Sequence, residues 1–249
     1  MVQHIIVALV VGIFAFYIGI RSVNKKRLIQ NIPTSKIRSL AMGLVEIYGE
    51  VLPAYKKLLV SPFSGEKCVY YGYKIQEYRS SGKTSSWVTV AKEEEHQSFF
   101  LKDETGHVLV DSRKAEIELK NKGEFDSSWG KDPPLRVKEF LKSKNMSFEG
   151  FLGINKRMRY YEYVIKPRDK VYIMGTAGKN PHIESATAKM NQEGVMIQKA
   201  NGNPYYISDQ SEKKITRNLT YTAWFSLIFG GLFILGAVVW TAMAMGVWV

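Results

Sequence analysis

Charge is absent from both ends of this chain. Residues 1–20 and 218–249 hold no Asp, Glu, Lys or Arg, so every charged residue falls between Arg21 and Arg217. Residues 4–20 read HIIVALVVGIFAFYIGI, with only His4 polar. A spanning helix needs about 20 apolar residues, with ~17 as the lower bound, which predicts a first transmembrane helix over 4–20. A cleaved signal peptide would want a basic start and a small-x-small site. Here the apolar run meets Arg21, Lys25, Lys26 and Arg27 instead, the pattern of a retained anchor. Residues 219–245 predict a second transmembrane helix, with Trp224 towards one end and Trp240 and Trp248 towards the other, as in aromatic belts. Gly230, Gly231 and Gly236 are tolerated in lipid, and the small-xxx-small pair Ala242 and Gly246 reads as lipid-facing filler.

Between the spans, residues 21–217 alternate at the period of strands. Val45, Ile47 and Val51 share one face, and Glu46 and Glu50 the other. Val69, Tyr71, Tyr73 and Ile75 line one side of a second run. Phe99-Phe100-Leu101 and His107-Val108-Leu109-Val110 flank Asp103-Glu104-Thr105-Gly106, a hairpin turn by composition. Ala115, Ile117 and Leu119 alternate with Glu116, Glu118 and Lys120. Residues 161–165 and 171–174 form two further strands, and 195–197 and 205–207 a last pair around the turn former Asn201-Gly202. Helical signals are few. Thr34 is placed to cap a short turn, and Asp132 to cap a helix with Pro133 first and Val137, Phe140 and Leu141 on one face. The expected fold is a membrane-anchored β-rich α+β domain, mostly antiparallel strands, between two transmembrane helices.

Net charge of +12 sharpens the picture. Residues 21–40 hold six Lys or Arg and residues 198–217 hold Lys199, Lys213, Lys214 and Arg217, while the opposite flanks hold none. Basic residues near spans stay inside, so the central domain is expected to be cytoplasmic, in the cell membrane if the source is prokaryotic. A single cysteine, Cys68, agrees with a domain that does not rely on disulfides. Ten Lys or Arg against five Asp or Glu in residues 120–159 suit anionic lipid headgroups first, with an acidic protein partner as the alternative. The candidate contacts are Lys25, Lys26, Arg27, Arg136, Lys138, Lys142, Lys144, Lys213, Lys214 and Arg217, set against the plainer reading of a solvated face. No recognition-helix or RNA motif points to nucleic acid.

Several blocks resemble the GIDE family, whose domain is also called the beside-a-membrane domain. They are IPTSKIRSLAMGLVEIYG over 32–49, PFSGEKCVYY over 62–71, LKDETG over 101–106, and Tyr161-Glu162 through Val171-Tyr172-Ile173-Met174-Gly175. The resemblance runs over roughly residues 30–210, in the right order. It implies two spans, this domain between them, and the E3 ubiquitin ligase activity of the mitochondrial relatives, which carry a RING finger after the second span. A RING needs eight Cys or His zinc ligands. These 249 residues hold one Cys and four His, so the expectation is a RING-less member of the prokaryotic type.

No catalytic constellation emerges. Cys68 sits in an apolar, tyrosine-rich run and reads as a buried small hydrophobe. Glu93-Glu94-Glu95-His96 reads as a solvated loop rather than a metal site, and His107 and His182 stand alone. Gly175-Thr176-Ala177-Gly178-Lys179-Asn180 fails the phosphate-loop pattern at Ile173 and Asn180 and reads as a plain loop. No Gly-x-Ser-x-Gly elbow occurs. No catalytic, cofactor or metal residue is therefore assigned. The expected function is a membrane-tethered interaction or scaffold domain with an unknown protein partner, and homo-oligomerisation is left open. A transferase role with a RING supplied by a partner, and an enzyme of unrecognised type, stand as alternatives.

Overall fold

Each alternating run has an apolar face to bury, and the strands that result close a barrel. The computed structural model describes residues 2–32, 34–82, 84–120, 122–150, 153–181 and 194–244. The elements begin with α1 (Val2–Asn31), a 3-10 turn (Ile37–Ser39), β1 (Gly43–Pro53), β2 (Leu59–Val60), β3 (Lys67–Cys68), β4 (Tyr70–Ser81) and β5 (Thr84–His96). They continue through β6 (Phe99–Lys102), β7 (His107–Val110), β8 (Glu116–Glu118), β9 (Lys122–Ser127), α2 (Leu135–Ser143) and β10 (Met158–Ile165). The last are β11 (Lys170–Lys179), β12 (Val195–Gln198), β13 (Tyr206–Ser208) and α3 (Glu212–Ala244). Two compact units result, one of Met1–Pro33 with Ser211–Val249, the other of Thr34–Gln210.

In the second unit, strands β1, β6, β7, β12 and β11 pair in that order, and β11 returns to β1. Only the β7–β12 contact in this ring is parallel. Counted along the chain, the ring runs first, second, third, fifth, fourth, which is the connectivity of an OB-type barrel. Inward residues fill it: Val45, Ile47, Val51, Phe99, Leu101, Val108, Val110, Val171, Ile173, Ala177 and Ile197 are all buried. Tyr205 plugs one side, its hydroxyl donating to the Asp111 carbonyl at 2.6 Å. Gly175 is required there, because a Cβ would stand 2.8 Å from the Tyr205 ring and from Ile197.

The hairpin expected at 103–106 forms. Asp103 Oδ1 accepts from the Thr105 and Gly106 amides, and Oδ2 accepts from the Ile37 amide at 2.9 Å. Burial alone would raise the Asp103 carboxyl; those donors outweigh it and hold the group below the usual carboxylate range.

A second sheet, ordered β5-β4-β10-β9, grows from two barrel connections, β4 and β5 from that between β1 and β6, and β9, α2 and β10 from that between β7 and β11. Helix α2 covers one of its faces through Val137 and Leu141, which meet Phe63, Tyr73, Ile75, Met158 and Tyr160 in one cluster. Phe63 is its hub, edge-on to Phe125, Phe140 and Tyr160. Buried Glu162 holds it there. Its two carboxylate oxygens accept from the Phe63 amide at 2.6 Å and the Ser64 amide at 3.0 Å.

Several local expectations are corrected. Thr34 caps no turn; its hydroxyl donates to Glu46 Oε1, and Lys36 occupies the N-cap of the 3-10 turn. Pro133-Pro134 delays α2 until Leu135, so Pro134 takes the N-cap. Asp132 instead accepts from Lys138 and Asn155. Residues 93–96 end strand β5 rather than forming a loop, and residues 175–179 belong to β11. The turn at Asn201-Gly202 is present, but β12 and β13 each pair with β11, not with one another. Val69 departs from Tyr71, Tyr73 and Ile75 and joins the barrel core. His182, Trp248 and Gly246 lie outside the described residues.

The other unit is a pair of helices long and apolar enough to cross a membrane, with mean hydropathy 2.3 and 2.1. Both helices continue beyond the uncharged runs, to Asn31 and from Glu212. They pack antiparallel through small residues. A Cβ on Gly230 would stand 2.8 Å from the Gly12 carbonyl and the Phe16 amide, and one on Gly19 would strike Leu227. Ala223 and Ala237, one heptad either side of Gly230, are buried as well. Close backbone approach replaces the hydrophobic drive that lipid removes.

Two outcomes follow for stability in detergent. Glu162→Gln turns one acceptor into a donor facing an amide and should cost about 1–3 kcal/mol in chemical unfolding; an unchanged midpoint removes Glu162 from its holding role. Gly230→Leu should loosen the helix pair by about 1–3 kcal/mol, read as lower thermal stability, whereas Gly231→Leu meets open space and should be neutral.

Candidate binding face

Strand alternation gives the four-stranded sheet a second face, the one α2 does not cover. In register, Tyr161 stands beside Lys74, Arg159 beside Gln76, and Tyr78 beside Trp87. The cations lie over the rings. Lys74 Nζ is 5.0 Å from the Tyr161 centroid, and the Arg159 guanidinium is 4.1 Å from that of Trp87. Arg157, one residue ahead of β10, lies 4.8 Å from Tyr78 and 5.6 Å from Trp87. Tyr78 and Trp87 touch at 5.2 Å. Each such contact is worth about 0.5–1 kcal/mol at an exposed site and fixes the cation's direction.

Charge on this face is mixed: Glu124 and Asp126 of β9 stand in register beside Tyr161 and Arg159, and Asp126 is taken by Lys131. Most basic side chains with a resolved partner are neutralised: Lys36 by Glu104, Arg79 by Glu77, Arg113 by Asp111, Lys131 by Asp126, Lys166 by Glu66. Among the described residues, Arg157 and Arg159 pair with no carboxylate. Beyond Lys74 the face runs into a groove of about 340 Å³ lined by Tyr70, Lys92, Glu94, Glu118 and Tyr163. Burial, and then Glu94, whose carboxylate accepts from the Tyr70 hydroxyl at 3.2 Å, push the Tyr70 phenol up. Burial also lowers the His96 imidazole, against the pull of Glu94, Glu95 and Asp111.

The basic residues picked from sequence fall in two places. Antiparallel packing brings Lys25, Lys26 and Arg27 of α1 to the same end of the helix pair as Lys213, Lys214 and Arg217 of α3. On α2, Lys138 is paired with Asp132, and Lys144 with Glu93 at 2.7 Å. The Lys144 hydrogen bond, then that from Tyr73, holds the Glu93 carboxyl low. Arg136 packs against Gly65, and Lys142 is exposed. Half of the α2 charge is thus cancelled locally. Arg157 and Arg159 fall at the end of the basic segment 120–159 without standing out from it, and Lys74 and Trp87 lie outside it. Arg157 and Arg159 carried an i, i+2 signal, but their aromatic partners come from other strands.

Cys68 is fully buried, its thiol 3.8 Å from the Leu59 carbonyl. Burial first, then Glu162 and Glu66, push the thiol up to about 12, so no thiolate forms at neutral pH. Among the described residues no group of three or more His, Cys, Asp or Glu side chains is placed to hold a metal ion.

Comparison with known proteins adds the lineage. No curated protein and no solved structure matches the chain. The family GIDE, described as E3 ubiquitin ligase, matches residues 70–241, from the start of β4 through the second apolar helix. That range takes in the four-stranded sheet, most of the barrel and nearly all of the C-terminal apolar helix, and by it the chain belongs to the GIDE family.

Proposed function

We propose that the protein is a membrane-tethered interaction domain that presents the open face of its second sheet, without a catalytic centre of its own, from the cytoplasmic side. The observation that carries this reading is how the polar side chains are used. Glu162, Asp103 and Cys68 serve the fold, while Arg157, Arg159 and Lys74 are stacked on rings and turned towards solvent. Groups fixed and left accessible suit recognition, because little ordering entropy remains to be lost on binding. Lys25, Lys26, Arg27, Lys213, Lys214 and Arg217 are assigned to anionic headgroups, each worth about 1 kcal/mol near an anionic surface. Arg136 and Lys142 join them more weakly than the full α2 set would, since Lys138 and Lys144 are already paired.

A second reading rests on the family's description as E3 ubiquitin ligase. In it the domain selects a target, and a separate RING protein activates the ubiquitin-charged conjugating enzyme.

Reporter insertion at Gly82, the exposed turn between β4 and β5, should give a cytoplasmic signal. An external signal would reverse the orientation and set the basic-flank argument aside. In a discharge assay, the purified chain should not accelerate loss of ubiquitin from a charged conjugating enzyme, and Cys68→Ser should change nothing. Acceleration by the chain alone, abolished in that variant, overturns the non-catalytic reading; acceleration only when a RING protein is added favours the second reading.

A further inference from the structure

Unpaired strand edges are normally guarded by charge, because their amides and carbonyls otherwise recruit a foreign strand. Two edges of this domain follow that rule. Edge strand β8 presents Glu116 and Glu118, and edge strand β9 carries Glu124 and Asp126. Edge strand β5 departs from it. Its later residues Lys92 to Glu95 are charged, but its first eight read TSSWVTVA, with no charge and no proline. Val, Thr and Trp suit a strand, and Thr84, Ser85, Ser86 and Thr89 are exposed. Among the described residues no strand pairs with the outer edge of β5.

The same stretch carries Trp87, the ring on which Arg157 and Arg159 are stacked. Both arginines start two strands away, on or just before β10, and reach across β4 to the edge. A strand added to β5 would lie about 4.8 Å further out and point alternate side chains onto this face. The first charges those side chains meet are two guanidinium groups with fixed direction and no carboxylate partner. A guanidinium's paired donors match a carboxylate.

We propose that the outer edge of β5 over residues 84–91 accepts an extended acidic segment of a partner protein as a fifth strand, its carboxylates received by Arg157 and Arg159. The proposal rests on the interaction-domain reading and names the kind of partner. Backbone ladder bonds supply affinity, and the two arginines supply the preference for acid. A second copy of the chain is the poorer occupant. Antiparallel pairing of β5 with itself keeps the same face on both copies, so the two arginine pairs would share one continuous surface, like charge with like. Net charge of +12 favours an acidic partner at long range as well.

The test uses the full chain in neutral phosphatidylcholine nanodiscs. The probe is a fluorescent peptide of alternating Val and Glu long enough to span the edge, and its control replaces Glu by Gln. The acidic peptide should bind, more weakly as salt rises, and should protect the amides of residues 84–91 from hydrogen exchange. Arg157→Gln with Arg159→Gln should weaken binding about tenfold, with barrel amides still protected as proof of folding. Equal binding of the two peptides, an unaffected double variant, or protection outside 84–91 overturns the proposal. Protection of 84–91 before any peptide is added, with a dimeric mass, gives the edge to a second copy and overturns it too. Loss of the arginine effect only in phosphatidylglycerol nanodiscs, with the edge still protected by peptide in neutral ones, supports the site and shows lipid competing for it. None of these results touches the reporter or discharge assays, so failure here is separable from failure of the interaction-domain reading.

Discussion

Barrel closure rests on one ladder. Residues 43–50 of β1 run antiparallel to residues 170–177 of β11. Backbone polar groups buried without partners are costly, so both strands must find neighbours on both sides. β1 takes β6 on its far side, and β11 takes β12 and β13 on its own. Once that ladder forms, the two long connections leave the barrel as neighbours, and β4 and β10 can pair over residues 70–77 and 158–165. The four-stranded sheet and its open face depend on that meeting.

Glu162 shows how the layers are tied together. Its strand, β10, lies at the centre of the second sheet, and its carboxylate grips the amides of Phe63 and Ser64 in the loop between β2 and β3. Phe63 then enters the cluster beneath α2. With α2 seated on that face, the opposite one is left without a covering helix. The openness of one side is a result of packing on the other.

Much of this was legible from periodicity. Val45, Ile47 and Val51 do fill a core, and Asp103 to Gly106 do turn, because both depend on neighbours close in sequence. The two apolar helices were evident for the same reason. What escaped needed partners far along the chain. Glu46 reads as a solvent-facing residue but is fully buried, with Thr34 donating to it. Lys138 and Lys144 read as free cations, yet Asp132 and Glu93 claim them. The proposed binding face combines Arg157 and Arg159 with Trp87, residues some seventy positions apart that only the sheet makes adjacent.

Interleaving has a kinetic side. β4 and β5 emerge from the ribosome well before β9 and β10, and β1 precedes β11 by roughly 120 residues. At about 5–20 residues per second, β1 waits on the order of ten seconds for the strand that closes its barrel. Contacts of such separation form slowly, since the loop entropy is lost before the ladder repays it. During that interval the β4–β5 hairpin has its uncharged edge exposed and no finished barrel behind it. The first apolar helix is already made by then. The nascent domain must therefore complete its assembly with its N-terminal segment already synthesised, and the strand with the uncharged edge is made before β9 and β10 can complete its sheet.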